Sequence, residues 1–314
     1  MEDNKKIKET LLHYINLEYY ANGLNEEFQT LLEELENRCA KAILSYKSVN
    51  TKKSYNVIMK LIKEEVEEFR KELEERLEEE AEMIMQQELE FLDKTYNDSK
   101  GDSKALALGG VTVAALLSSV FDGTDTTAQF VERTKNNIIS AYENPLRSGF
   151  IFGQSSEDII SQSAGRLSQV SRGLQGAITT VIPSYAKTTD RIVFLNNNVE
   201  VVWVSTLDGH TCIHCASMSG LHFKSVEEAP FVPAHERCRC ILAPVTSLKE
   251  PVLEYEEFIE SLTEEEQQGV LGKNRFNLWK QYNVPLKKFI NNGTVIPWKD
   301  LSNSTEIADK VTKL

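Results

Sequence analysis

Positive charge is scarce in this chain. Its 314 residues carry 35 Lys plus Arg against 48 Asp plus Glu, a formal net charge of −13. A surface of that balance does not coat nucleic acid indiscriminately, since such binding rests on Lys and Arg neutralising phosphates. An apolar leader is missing as well. The opening residues MEDNKKIKET are polar, so no secretory signal is expected and a reducing cytoplasm is the expected place of synthesis. Long hydrophobic runs are few. The most apolar stretch, ALALGGVTVAALLSSVF at 105–121, includes Gly109 and Gly110 and sits at the short limit for the roughly 20 residues of a spanning helix. It reads as a buried helix packed through small residues, with no stable membrane span expected. No repeat of fixed period and no low-complexity tract occurs. The dinucleotide, Walker A and nucleophile-elbow glycine patterns are also missing.

What the chain does have is helical periodicity. Over 5–47, Leu11, Leu12, Ile15, Leu31, Leu35, Ala42 and Ile43 fall near helical spacing, with a break expected at Asn22-Gly23. From about 51 to 95, Ile58, Ile62, Val66, Phe69, Leu73, Leu77, Ala81, Ile84, Leu89 and Leu92 form an apolar stripe through a run of Glu, Lys and Arg. This predicts one long amphipathic helix with an acidic, solvated face. The first 100 residues hold 24 acidic against 15 basic side chains, −9 of the total of −13. Residues 97–103, NDSKGDS, mark a boundary. Helical pieces follow to about 190, separated by DGTDT, NPLRSG and GQSSED, with Ser155 to Asp158 a helix start. RIVFL, then Asn196 to Asn198, then VEVVWVSTL predicts a β-hairpin, and CILAPV a further short strand. Polar helices and a turn close the chain. The expected fold class is α+β, mostly α, in four parts: 1–100, 101–190, a β-rich Cys/His core at 191–245, and a helical tail at 246–314.

Cysteine is rare but concentrated. Cys212, Cys215, Cys238 and Cys240 are four of the five in the chain, and His235 lies among them. Two intervening residues let Cys212 and Cys215 bend round one ion, and a second cluster after the loop completes a tetrahedral site. Structural Zn²⁺ is the expected cofactor. Four thiolates are anionic and soft, which favours Cys212, Cys215, Cys238 and Cys240. His235 is the alternative fourth ligand. A Cys215–Cys238 disulfide is the competing chemistry under oxidising conditions. The deaminase, metalloprotease and thioredoxin patterns all fail on order or context, and four protein ligands leave no position for a reactive water. No catalytic residue is assigned. His210, His214 and His222 read as bystanders on a polar loop, Cys39 as packing and His13 as a surface residue.

The segment WVSTLDGHTCIHCASMSGLHF, followed by PAHERCRCILAPV, resembles the phage Mu F-protein-like (MuF) domain of head morphogenesis proteins. The resemblance is carried by Trp203, Asp208, Thr211, Cys212, Cys215, Gly220, Pro233, His235, Cys238 and Arg239, and downstream by Leu271, Gly272 and Arg275. It covers roughly 130–301. Relatives carry an Arg-Thr-Glu before the hairpin, where this chain has AKTTD at 186–190. Some also lack the cysteines equivalent to Cys212 and Cys240, which implies that a metal stabilises and does not itself perform the function. The family implies a non-enzymatic minor head protein, located in the virion and in the host cytoplasm during assembly. Its implied partners are the portal, scaffold or major capsid protein, and packaged DNA only indirectly. Two other functions are weighed: a DNA-ejection protein inserting 105–121 into the host envelope, and an enzyme or toxin built on the Cys–His cluster.

Overall fold

The chain's structure, a computed structural model, describes residues 2–46, 51–97, 105–121, 124–205, 211–235, 238–245, 259–260, 262–291, 294–302 and 307. Four long helices make most of it: α1 (Glu2–Leu44), α2 (Lys52–Leu92), α4 (Thr127–Phe152) and α5 (Ser156–Asn197). A π-helical turn, Asp93–Asn97, ends α2, and the short helix α3 (Val113–Ser118) precedes α4. At 1.5 Å per residue the longest helices span about 60 Å. Their starts are chemically marked. Thr51, Thr126 and Ser155 each close a capping box with the residue three positions on, which satisfies backbone donors that a helix leaves unpaired.

Cross-helix contacts fix the directions. Arg76 on α2 pairs with Glu27 on α1, and Arg38 on α1 with Glu65 on α2. Lys135 on α4 pairs with Glu67, while Tyr55 and Phe150 meet at the far end. Gln29 and Tyr14 on α1 bond to Ser171 and Asp190 on α5. One number rises as its partner falls, so α1–α2, α2–α4 and α1–α5 are antiparallel. The predicted stripe on α2 lies inside: Ile58, Ile62, Val66, Phe69, Leu73, Leu77 and Ala81 are buried against α1, α4 and α5. Part of the acidic face is therefore occupied by interhelical pairs, each an exposed or half-exposed contact contributing at most about 1 kcal/mol.

Three sequence expectations are corrected here. No break occurs at Asn22-Gly23; α1 is continuous, with Ala21, Leu24 and Phe28 buried around it. An interior glycine costs about 1 kcal/mol, less than the burial of one large apolar side chain. NPLRSG does not end a helix either, because α4 runs through Pro145 to Phe152 and buries Tyr142 and Leu146 beside it. RIVFL is not a strand: it forms the last turns of α5, with Val193 and Phe194 buried and Asn198 closing the helix in the left-handed region at φ 49°. A β-branched run has only a modest strand preference, which tertiary packing overrides.

The sheet caps the bundle. Strand β1 (Glu200–Val204) is central, flanked by β2 (His222–Phe223) and β3 (Ile241–Val245), all antiparallel. Alternation splits β1 between two cores. Val202 and Val204, with Ile241 and Ala243, pack on the helices; Val201 and Trp203, with Leu242, face the cysteine segment. This double burial explains why VVWV is apolar throughout. Helix α6 (Ile213–Met218) lies between that second core and a third. The third is built from α7 (Glu264–Leu271), α8 (Lys273–Tyr282), a 3₁₀ turn (Leu286–Phe289), a hairpin of β4 (Ile290–Asn291) with β5 (Thr294–Val295), and α9 (Trp298–Ser302). The 105–121 stretch does not form one apolar helix. Only Val113–Ser118 is helical, after a non-helical 105–112. Among the described residues no helix is long and apolar enough to cross a membrane.

Candidate metal centre

Local structure brings the sulfurs together. Cys212 is the N-cap of α6, and its Sγ accepts the backbone N–H of Cys215 at 3.3 Å. The short helix turns both side chains to one side. Gly220 then takes φ 85° and donates its N–H to Trp203 O, while Leu221 O accepts from Trp203 N, which hooks α6 back onto β1. A side chain at that φ would be strained. The second cluster arrives from the loop before β3. Cys238 N donates to His235 O at 3.0 Å, and the His235 ring reaches the Cys212 and Cys215 sulfurs. Cys240 is held at the start of β3.

The side chains converge as two overlapping trios, Cys212–Cys215–His235 and Cys215–Cys238–Cys240, each with its donor atoms within 4.8 Å of one another. His235 Nε2 lies 3.2 Å from Cys212 Sγ and 3.1 Å from Cys215 Sγ. Cys215 Sγ and Cys238 Sγ are 3.8 Å apart, far beyond the 2.05 Å or so of a disulfide. All five cysteines are free thiols. Zinc–sulfur bonds of about 2.3 Å place tetrahedral sulfurs about 3.8 Å apart, which the Cys215–Cys238 separation matches. The sequence-predicted residues Cys212, Cys215, Cys238 and Cys240 are thus gathered in one place, with His235 among them. His214 and His222 belong to neither trio, and His210 and Asp208 lie outside the described residues.

The electrostatics carry the same message. Hydrogen bonds from the Cys215 thiol and from His235 pull the Cys212 thiol down to about 4 despite partial burial. Cys238 is lowered by its bonds to Cys215 and Cys240, with a further contribution from the nearby Lys187 ammonium. Cys215 and Cys240 are pushed up, Cys215 by donating to its neighbours and Cys240 by burial. The crowded sulfurs therefore shift one another's protons in both directions. A dication would displace the protons of the thiols that bind it.

Two supporting residues carry no sequence signal of their own. Ser205, directly after β1, is buried; it accepts Trp203 Nε1–H at 3.2 Å, donates to Cys215 O and lies 3.4 Å from Cys240 Sγ. Lys187 on α5 is buried and donates from Nζ to Cys238 O at 2.8 Å. Ser205 follows an apolar strand and Lys187 sits inside an apolar helix face, which is the only hint either gives. The other expectations also meet the structure. Cys39 is buried in the helical core, as expected. His13 is not a plain surface residue: it stacks on Phe91 at 4.0 Å and bonds Glu88 at 2.7 Å, because the turn of α1 that carries it packs against the end of α2.

The chain matches no family model, no curated protein and no solved structure.

Proposed function

We propose that this chain is a structural and interaction protein of a phage head, of the MuF-like minor head type, whose Cys/His module is a zinc clasp. One observation carries the reading. The donors meet where α6 folds back onto β1, among the residues on which the family resemblance rests: buried Trp203 and Thr211, Gly220 in its left-handed turn, and Pro233 and His235 on the covering loop. A metal there ties α6 to the covering loop that leads into β3. That is the work of a closed, stabilising site.

Zinc takes Cys212, Cys215, His235 and Cys238 in this proposal. His235 Nε2 touches two of the sulfurs, whereas the Cys240 sulfur lies against the Ser205 hydroxyl. The fourth ligand thus departs from the all-cysteine set favoured by thiolate charge alone. The check is zinc per protomer after purification under reducing conditions. One zinc is expected in the wild type and in Cys240→Ser, and well below half in His235→Ala. Equal loss in both variants would restore Cys240 to the site, and a metal-free wild type would remove the clasp.

The long, charged bundle supports a docking role. It offers faces about 60 Å long to portal, scaffold or major capsid subunits in the host cytoplasm, with the product residing in the virion near the portal. DNA contact is indirect, in keeping with the net charge of −13. Co-sedimentation of the full chain with portal rings is the expected result. Failure to bind portal, scaffold and major capsid protein alike would sink the reading.

A further inference from the structure

Two carboxyl groups are buried in the seam between α1, α2 and α5, away from the cysteines. Glu88 on α2 is 0% exposed and Asp190 on α5 is 4% exposed. Tyr14 on α1 donates to Asp190 Oδ2 at 2.8 Å, and His13 Nε2 bonds Glu88 Oε2 at 2.7 Å. One oxygen of each acid is then left, Glu88 Oε1 and Asp190 Oδ1, and no donor reaches either. The two carboxyls lie close enough that each shifts the other's proton affinity. Carboxylates are acceptors only, so a bond between these two free oxygens requires that one of them carry a proton. Left ionised together in a dry seam, they would repel at close range with only the Tyr14 hydroxyl and the His13 ring to compensate them.

We propose that Glu88 and Asp190 form a proton-binding site that closes the α1–α2–α5 seam, so that the bundle is tightest in acid and loosens as pH rises.

The surrounding charges do not supply an alternative. From α1 the seam receives Lys6, Glu9, His13 and Tyr14; from α2 and its π-turn, Glu88 and Tyr96; from α5, Lys187 and Asp190. Lys6 lies over the Tyr96 ring, and Lys187 lies over the Tyr14 ring and bonds Cys238 O. Among the described residues the only basic side chain paired with either acid is His13, whose charged form desolvation disfavours. A metal ion does not fit in the proton's place. No trio of ligand atoms that includes Glu88 or Asp190 converges on one point among the described residues.

Burial raises Glu88 from 4.5 to about 8; burial, then the charge of Glu88, raises Asp190 well above 3.8. The unfolded chain releases these protons above about pH 4–5, while the native seam holds on to them. Stability from the pair is therefore fully present below that range and declines as pH climbs toward 8 and beyond.

The test is urea unfolding of the full chain between pH 5 and 8, with Glu88→Gln/Asp190→Asn as the partner variant. The paired amides keep the shape and hydrogen-bond each other without a titrating proton. The wild-type folding constant should fall by about tenfold per pH unit for each proton the seam retains, relative to the variant. Parallel pH profiles would overturn the proposal. So would a gain in wild-type stability on adding Mg²⁺ at pH 8, which would make the occupant a cation. If the variant does not fold, infrared spectra of the native wild type decide. A protonated-carboxyl C=O band persisting at pH 7 supports the site, and its absence at that pH refutes it.

Discussion

Lys187 shows how much one buried side chain can link. Its Nζ reaches the carbonyl of Cys238 and lies over the ring of Tyr14, whose hydroxyl bonds Asp190. The buried ammonium also favours the ionised form of Cys238. Partners of this outer kind usually set metal affinity without touching the metal. Lys187→Met, which keeps the stem and removes the charge, should weaken zinc retention about 10–100-fold in competition with a chelator. Lys187→Arg should recover part of that loss. Unchanged retention in Lys187→Met would mean that the contact is packing alone. Nothing in AKTTD announces this role; a lysine in a helix normally faces water. Glu88 hid in a similar way. Period counting puts Leu89 on the apolar stripe, but in the fold Glu88 is fully buried and Leu89 only half-buried. An Ile84–Glu88–Leu92 spacing of four was the available signal, lost among so many surface glutamates.

At the scale of elements, the α2 helix was plain in the sequence because its stripe runs from Ile58 to Leu92, nearly ten turns at 3.6 residues each. Phe69, Leu73 and Leu77 are each fully buried, so the stripe carries the bundle. Phe69→Ala should cost about 3–5 kcal/mol in urea unfolding, and a loss below about 1 kcal/mol would place that turn at a surface. Boundaries were less legible. Asn22-Gly23, Pro145 and RIVFL all carry local signals that say stop or strand, and α1, α4 and α5 continue through them. Each signal amounts to about 1–3 kcal/mol. A helix of 26 to 43 residues with its apolar face buried against neighbours outweighs that. The Ser155 start was read correctly, because a capping box is a local hydrogen-bond pattern and needs no partner from elsewhere in the chain.

For the whole molecule, the sequence by itself determined the class: mostly helical, with a small antiparallel sheet beside a cluster of cysteines. Periodicity and the spacing of Cys212, Cys215, Cys238 and Cys240 are properties of the chain over short distances, and they survive without knowledge of the fold. Only the tertiary structure decided what meets what. It drew His235 against two sulfurs from 20 or more positions away. It set Ser205 and Lys187 around the sulfurs, and it placed Asp190 beside Glu88, about a hundred residues apart in sequence. The physical reason is common to all of these. A single polar residue carries no period and gains its meaning only from partners that chain folding brings within about 4 Å, where burial removes the water that would otherwise satisfy it.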